Sequence, residues 1–143
     1  RHSRRIARKI VENRSQSPIK TTGQLAELCR QAYGRFAHRG RIDPATRTFQ
    51  ALRIAVNDEM AALGELLDSI PRLLKAGGVA VMISFHSLED RMVKQAFRKW
   101  EDEGRGRRLT RKPRVPDEVE RSTNRRSRSA RCRALLWTED GDS

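Results

Sequence analysis

Nine consecutive residues, Ser84-Phe85-His86-Ser87-Leu88-Glu89-Asp90-Arg91-Met92, combine hydroxyls, an imidazole, two carboxylates and a guanidinium. They follow Gly77-Gly78 and the apolar run Val79-Ala80-Val81-Met82-Ile83. That order reads as helix end, buried strand, polar loop, new helix. In open α/β sheets ligands lie outside the carboxyl ends of the strands, so this loop is a candidate site. A structural role competes with it. Ser87 is suited to cap the next helix, with Asp90 three residues on as a loose capping box. For Ser87 and Asp90 capping outweighs chemistry; for His86 and Glu89 the two balance.

The elements around this loop follow from periodicity. Residues 1–14 read as a helix with Ile6 and Ile10 on one side and Arg1, Arg4, Arg5 and Arg8 on the other. Pro18 interrupts, and Thr22 is the expected cap of a second helix carrying Leu25, Leu28, Cys29 and Ala32. Residues 34–41 read as a basic loop. Asp43-Pro44 starts another helix, with Asp as N-cap and Pro at the first helical position. Its apolar residues, Phe49, Leu52, Val56, Met60, Leu63, Leu67, Ile70 and Leu74, step by three and four. They form one seam of a long helix, with a break expected near Pro71. Arg47, Gln50, Arg53 and Asn57 make a polar stripe beside that seam.

Residues 79–84 read as a strand buried on both faces. A helix follows from Ser87 to Trp100, then a charged turn, a short strand over 109–115 limited by Pro113, a helical turn over 116–121 and a basic loop over 125–128. Residues 130–137 alternate. The expectation is that Ala130, Cys132, Ala134 and Leu136 face the core, with Arg131 and Arg133 turned outward. Three strands with one parallel crossover make a poor independent sheet, so the pattern reads as the second half of a larger α/β domain preceded by a helical insertion.

The charge narrows the partners. The chain has 143 residues, 31 Lys and Arg against 18 Asp and Glu, and a formal charge of +13. Most of the cations are arginine, which forks onto phosphate, so RNA, DNA or an acidic membrane face is the expected partner class. No apolar run approaches the roughly 20 residues that span a bilayer. The start lacks both methionine and the apolar segment of a secretory signal, implying a processed chain or a piece of something longer. Cys29 and Cys132 fit no metal spacing, and His2, His38 and His86 are too scattered for a zinc motif, so no metal site is expected. A reducing, cytoplasmic setting is the simplest inference. Few aromatics argue against a sheet that stacks exposed bases.

Four segments in this order carry a resemblance: residues 44–54 (PATRTFQALRI), 83–91 (ISFHSLEDR), 109–113 (LTRKP) and 126–130 (RSRSA). Together they resemble the bacterial 16S ribosomal RNA cytosine-N4 methyltransferase family, RsmH (MraW), over nearly the whole chain. The resemblance implies a class I, Rossmann-like methyltransferase that uses S-adenosyl-L-methionine, with an inserted helical domain that engages RNA. Residues 1–60 then correspond to the helical insertion, 61–138 to the C-terminal part of the methyltransferase domain and 139–143 to a tail. Asp43, Ala76 and Arg125 stand where the family commonly has His, Pro and Pro; these are cap and turn positions. The family's glycine-rich first strand-turn and ribose-gripping acidic residue have no counterpart here. The cofactor-binding half is therefore expected elsewhere, and this chain alone is expected to be inactive.

Methylating an exocyclic amine needs no covalent nucleophile. The cytosine N4 lone pair is delocalised into the ring, so the enzyme must hold it in line with the methyl sulfonium and accept a proton. Neither cysteine looks activated, which fits N4 chemistry rather than attack on the ring. Ser84, His86, Glu89 and Asp90 are the candidate catalytic residues: His86 to bind the base or relay a proton, Glu89 or Asp90 to orient it, with Arg91 pairing a carboxylate to lock the loop. Arg47, Gln50 and Arg53, with Arg126 and Arg128 as a second set, are the RNA candidates. The expected partner is 16S ribosomal RNA or the small subunit, not a membrane. The competing class is a non-enzymatic basic RNA-binding or ribosome-associated protein. The charge fits both; the strand ending in a polar loop separates them, and a strand with a glycine-rich turn preceding Arg1 would decide.

Overall fold

The structure is a computed structural model that describes residues 2–37 and 43–139. The chain divides into two compact units, residues 1–59 and 60–143. Part of the basic loop expected over 34–41 and most of the tail lie outside the described residues. No described helix is long and apolar enough to cross a membrane.

The first unit is helical. Helix α1 (Ser3–Gln16) and α3 (Pro44–Asn57) both pack on α2 (Thr22–Tyr33). Buried Ala26, Cys29 and Ala45 form the centre, with Ile6, Leu25 and Phe49 packed around them. The cap of α2 is Thr21, one residue before the expected Thr22. Its hydroxyl accepts from Gln24 N at 3.2 Å, and the Gln24 side chain accepts from Thr21 N at 3.0 Å, a reciprocal box that Thr22 has no partner to make. Asp43 caps α3 as expected, accepting from Ala45 N at 2.8 Å.

The long helix expected from Pro44 onward breaks earlier than Pro71. Asp58 takes the left-handed conformation (φ 50°, ψ 38°), ending α3, and α4 (Glu59–Leu73) begins at once. Glu59 ties the joint by accepting Arg53 Nε at 2.7 Å, Arg53 Nη2 at 3.0 Å and Asn57 Nδ2 at 3.2 Å. Pro71 sits in the last turn of α4, and the helix ends two residues later at Leu73. The single apolar seam therefore serves two cores. Phe49 packs in the first unit, Leu63, Leu67, Ile70 and Leu74 in the second, and Val56 between them is 81% exposed.

The second unit packs α4 and α5 (Ser87–Asp102) with a three-stranded sheet of order β1-β3-β2: β1 (Val79–Ser84), β3 (Arg131–Trp137) and β2 (Gly106–Arg108). The element α6 (Glu118–Thr123) and a 3-10 turn over Arg125–Ser129 lead into β3. The crossover through α5 leaves β1 and β2 pointing the same way, but β3 lies between them and is antiparallel to both. The expected parallel crossover is present, but no parallel ladder forms among the described residues, because β3 takes the central place between β1 and β2. The short strand falls at 106–108, and residues 109–115 form no strand of their own, adding a bridge from Arg114 to Cys132 and hydrogen bonds of Leu109 and Thr110 with Ala134. The Gly77-Gly78 turn sets the start of β1. Gly77 has φ 83°, a Cβ on Gly78 would lie 2.9 Å from the Lys75 carbonyl oxygen, and both residues exchange backbone hydrogen bonds with Trp137 at 2.8–2.9 Å.

Two burial expectations are reversed. On β1 only Ala80 and Ser84 are buried, while Val79, Val81 and Ile83 are exposed, so the strand is covered on one face among the described residues. On β3 the buried residues are Arg133, Leu135 and Trp137, and Cys132, Ala134 and Leu136 occupy the other face. The largest apolar side chains decide the parity. Trp137 meets Trp100 edge-on at 5.6 Å, inside a core with Leu67, Ile70, Val93, Phe97 and Leu135. Arg133 is carried inward with them because Asp90 on α5 neutralises it. Asp90 Oδ1 accepts Arg133 Nε at 2.7 Å, and Oδ2 accepts Arg133 Nη2 at 3.2 Å and Arg131 Nη1 at 3.0 Å.

The hydrogen bonds from Arg133 hold the Asp90 carboxyl below its ordinary range despite burial, with Arg131 adding to the effect. A folded value below the unfolded one gives stability that is full above the ordinary carboxylate range and is lost as pH falls through the folded value. Asp90→Ala leaves Arg133 buried without its counter-charge and should cost about 3–5 kcal/mol near neutral pH, read by urea unfolding. The gap between parent and variant should narrow as pH drops below about 4. A loss under about 1 kcal/mol would show that the pair does not carry the packing.

Candidate active site and basic groove

The carboxyl end of β1 passes into α5 through Phe85 and His86. His86, not Ser87, is the N-cap. Its Nδ1 accepts from Glu89 N at 3.3 Å, and Glu89 Oε2 accepts from Phe85 N at 2.8 Å and His86 N at 3.2 Å. The capping box is thus His86 with Glu89, and the expected Ser87–Asp90 box does not form. Ser87 is already the first helical residue, and the Asp90 carboxylate is engaged by the two arginines of β3. An uncapped helix start leaves its N–H groups without partners, and here the candidate site residues supply those partners themselves.

This geometry sets the tautomer of His86. A nitrogen that accepts a backbone N–H carries no proton, so neutral His86 holds its proton on Nε2. Nε2 lies 3.1 Å from Glu89 Oε1. Glu89 therefore touches the loop backbone through one oxygen and the imidazole through the other. Capping and orientation of His86 are one arrangement, which is why residue types alone left them balanced.

The other loop residues separate. Ser84 is buried, and its hydroxyl donates to the Arg131 carbonyl at 3.4 Å, pinning the end of β1 to β3. Asp90 anchors α5 to β3. The arginine lock expected at Arg91 is made by Arg131 and Arg133 instead, and Arg91 is exposed with no ion pair among the described residues.

Phe85, His86 and Ser87 open onto a cavity of about 350 Å³, walled on the far side by Arg121, Arg128 and Arg131. A second, larger hollow of about 570 Å³ is lined by Arg121, Arg125 and Arg128. Of the two expected basic residues in this segment, Arg128 lines both hollows and Arg126 lines neither. Arg121 and Arg125 were missed. From Arg121 to Arg125 to Arg128 the steps are four and then three, a helical spacing that an irregular basic loop does not suggest.

In the helical unit, Arg47 lines a separate cavity of about 430 Å³ with Ile6, Pro44, Ala51, His2 and Tyr33, the last two stacked at 4.1 Å. Arg53 is held by Glu59, and Gln50 is half-buried on α3.

Glu89→Ala removes the acceptor for two backbone N–H groups and should cost about 1 kcal/mol, measured by thermal or urea unfolding. His86→Asn substitutes one good N-cap for another and should leave stability within about 0.5 kcal/mol of the parent. Equal losses in the two variants would show that the imidazole is held for packing rather than for its cap.

The family model described as the MraW methylase family matches residues 1–137. The chain is 50% identical over 135 residues to a ribosomal RNA small subunit methyltransferase H of Coprothermobacter proteolyticus, covering 94% of this chain and 44% of that protein. It is 54% identical over 134 residues to the protein of the same name from Prochlorococcus marinus, covering 93% and 42%. Against that from Synechocystis sp. it is 51% identical over 140 residues, covering 97% and 43%. The chain thus spans less than half the length of the curated relatives it matches. A match running from its first helix through its last strand, with the strand-to-helix loop of His86 and Glu89 inside it, places this chain in the MraW methylase family.

Proposed function

We propose that this chain is the C-terminal portion of an S-adenosylmethionine-dependent methyltransferase acting on the N4 amine of a cytosine in small-subunit ribosomal RNA. The observation that carries the reading is the His86–Glu89 arrangement at the carboxyl end of β1, open to a cavity walled by arginine. Residues 61–138 serve as the last part of a class I methyltransferase sheet. The outer face of β1 and β3 supports this, since Val79, Val81 and Ile83 stand there beside Leu136, Ala134 and Cys132. Sheets of that class are covered on both faces. Residues 1–60 serve as the inserted helical domain, with Arg47 and Gln50 available to RNA and Arg53 bracing the joint at Asp58.

S-adenosylmethionine is the methyl donor that the family implies. The turn between β1 and α5 does not fit it. The turn at 84–87 carries no glycine, and the His86 side chain closes the helix start where a nucleotide cradle would need free N–H groups. The residues of this turn are therefore assigned to the base.

At the base, His86 acts as a hydrogen-bond donor through Nε2–H as long as Nδ1 stays in its cap, and Glu89 orients it. A group that already carries its proton on the nitrogen outside the cap positions the amine and does not take the amine proton directly. Ser84 and Asp90 act one step back, fixing β1 and α5 against β3.

His86→Asn in the full-length enzyme separates the two roles of the imidazole, because the cap survives. Turnover on small-subunit RNA should fall by at least about 10²-fold, the usual scale for losing a positioned hydrogen-bonding or acid–base group, with donor affinity unchanged. Wild-type turnover in this variant would exclude His86 from the chemistry.

A further inference from the structure

Arg121, Arg125 and Arg128 line one hollow, and no carboxylate pairs with any of them among the described residues. Several other arginines of the same unit are paired, Arg98 with Asp102, Arg108 with Glu101, and Arg131 and Arg133 with Asp90, although Arg91 is not. Two neighbouring acidic residues, Asp117 and Glu120, are placed elsewhere. Asp117 accepts Glu120 N at 2.8 Å as the cap of α6, and Glu120 lines a different cavity with Ile83 and Cys132.

The cluster is held in place before any ligand arrives. Arg121 is on α6, and Arg125 and Arg128 are on the 3-10 turn that follows. That turn is fixed by Asn124, whose Oδ1 accepts Arg126 N at 3.1 Å and whose carbonyl accepts the hydroxyl of buried Ser127 at 2.9 Å. Three unpaired guanidinium groups on a fixed frame make a site for several phosphate oxygens, since each fork matches a phosphate edge.

The hollow also has a direction. Arg121 and Arg128 line it and also wall the smaller cavity entered by His86. A cavity of about 350 Å³ admits a base but not a base pair with its stack. A base seated there must leave its stack, and its flanking phosphates then run along the arginines.

We propose that Arg121, Arg125 and Arg128 form a phosphodiester groove that holds an unpaired RNA strand on both sides of the nucleotide presented to His86. This rests on the methyltransferase reading only for the identity of that nucleotide. The groove selects single-stranded RNA over duplex, because A-form pairing keeps the base out of the cavity.

The test is binding of a short fluorescein-labelled single-stranded RNA to the full-length protein, followed by anisotropy across a salt series. The Arg121→Gln/Arg125→Gln/Arg128→Gln variant should show a log–log salt slope shallower by about 2, from three lost phosphate contacts at ~0.7 each. Lys94→Gln, on the exposed side of α5, controls for general loss of charge and should change the slope by less than about 0.7. Replacing the three arginines by lysine should restore the slope, since counterion release follows charge. The parent should also bind the single strand more tightly than the matching duplex. An unchanged slope in the glutamine variant, or equal affinity for duplex, overturns the groove. A shallower slope in a protein whose parent transfers no methyl group to RNA leaves the groove standing and sinks only the methyltransferase reading.

Discussion

The second unit is organised around one carboxylate. Asp90 joins the first turn of α5 to the two arginines of the central strand, and without it β3 could not turn Arg133 toward the core. The parity of β3 follows from that pair. With Arg133 neutralised, Leu135 and Trp137 can occupy the same face and complete the aromatic cluster with Phe97 and Trp100. A buried ion pair is weak evidence of net stabilisation, because desolvation opposes it. Its consequence here is register: a one-residue slip of β3 would bury Cys132 and Ala134 and expose Trp137.

The same register positions the candidate site. Arg131 is bound through its guanidinium to Asp90 and through its carbonyl to the Ser84 hydroxyl, so the end of β1 and the start of α5 are fastened to one residue. Between those two fastenings lie five residues, Phe85 to Glu89, with Glu89 folding back on Phe85 and His86. The imidazole is thus held by a helix cap on one nitrogen and a carboxylate near the other. Arg131 also walls the cavity that His86 faces, so packing and substrate contact share a side chain. A change to this loop should therefore be judged by stability and turnover together.

The two basic regions differ in kind. In the helical unit, arginines are partly committed to structure: Arg53 to Glu59 at the break after α3, and Arg30 to Asp43 and Glu27. In the segment before β3, Arg121, Arg125 and Arg128 line one hollow with no carboxylate pairing them among the described residues. A net charge of +13 does not distinguish these cases. The availability of a guanidinium for phosphate depends on whether a carboxylate already holds it.

Local signals were enough for most elements. Asp43-Pro44 marked a helix start, the apolar run after Gly77-Gly78 marked β1, and Ser87 to Trp100 marked α5, because each depends on short-range backbone preference and periodicity. The motifs that identify the family are likewise contiguous strings. What could not be read locally were choices between near-equal local options. Thr21 or Thr22, and His86 or Ser87, are each plausible caps, and the partner three residues on decided both. The break at Asp58 needed Glu59 to meet Arg53. Which face of β3 is buried depended on Asp90, more than forty residues away in sequence. Which arginines are free depended on the placement of every acid in the unit. Composition and order along the chain thus determined the elements, the charge and the family. The tertiary structure alone decided pairing, because a charge or a strand face takes its meaning from a partner that sequence distance conceals.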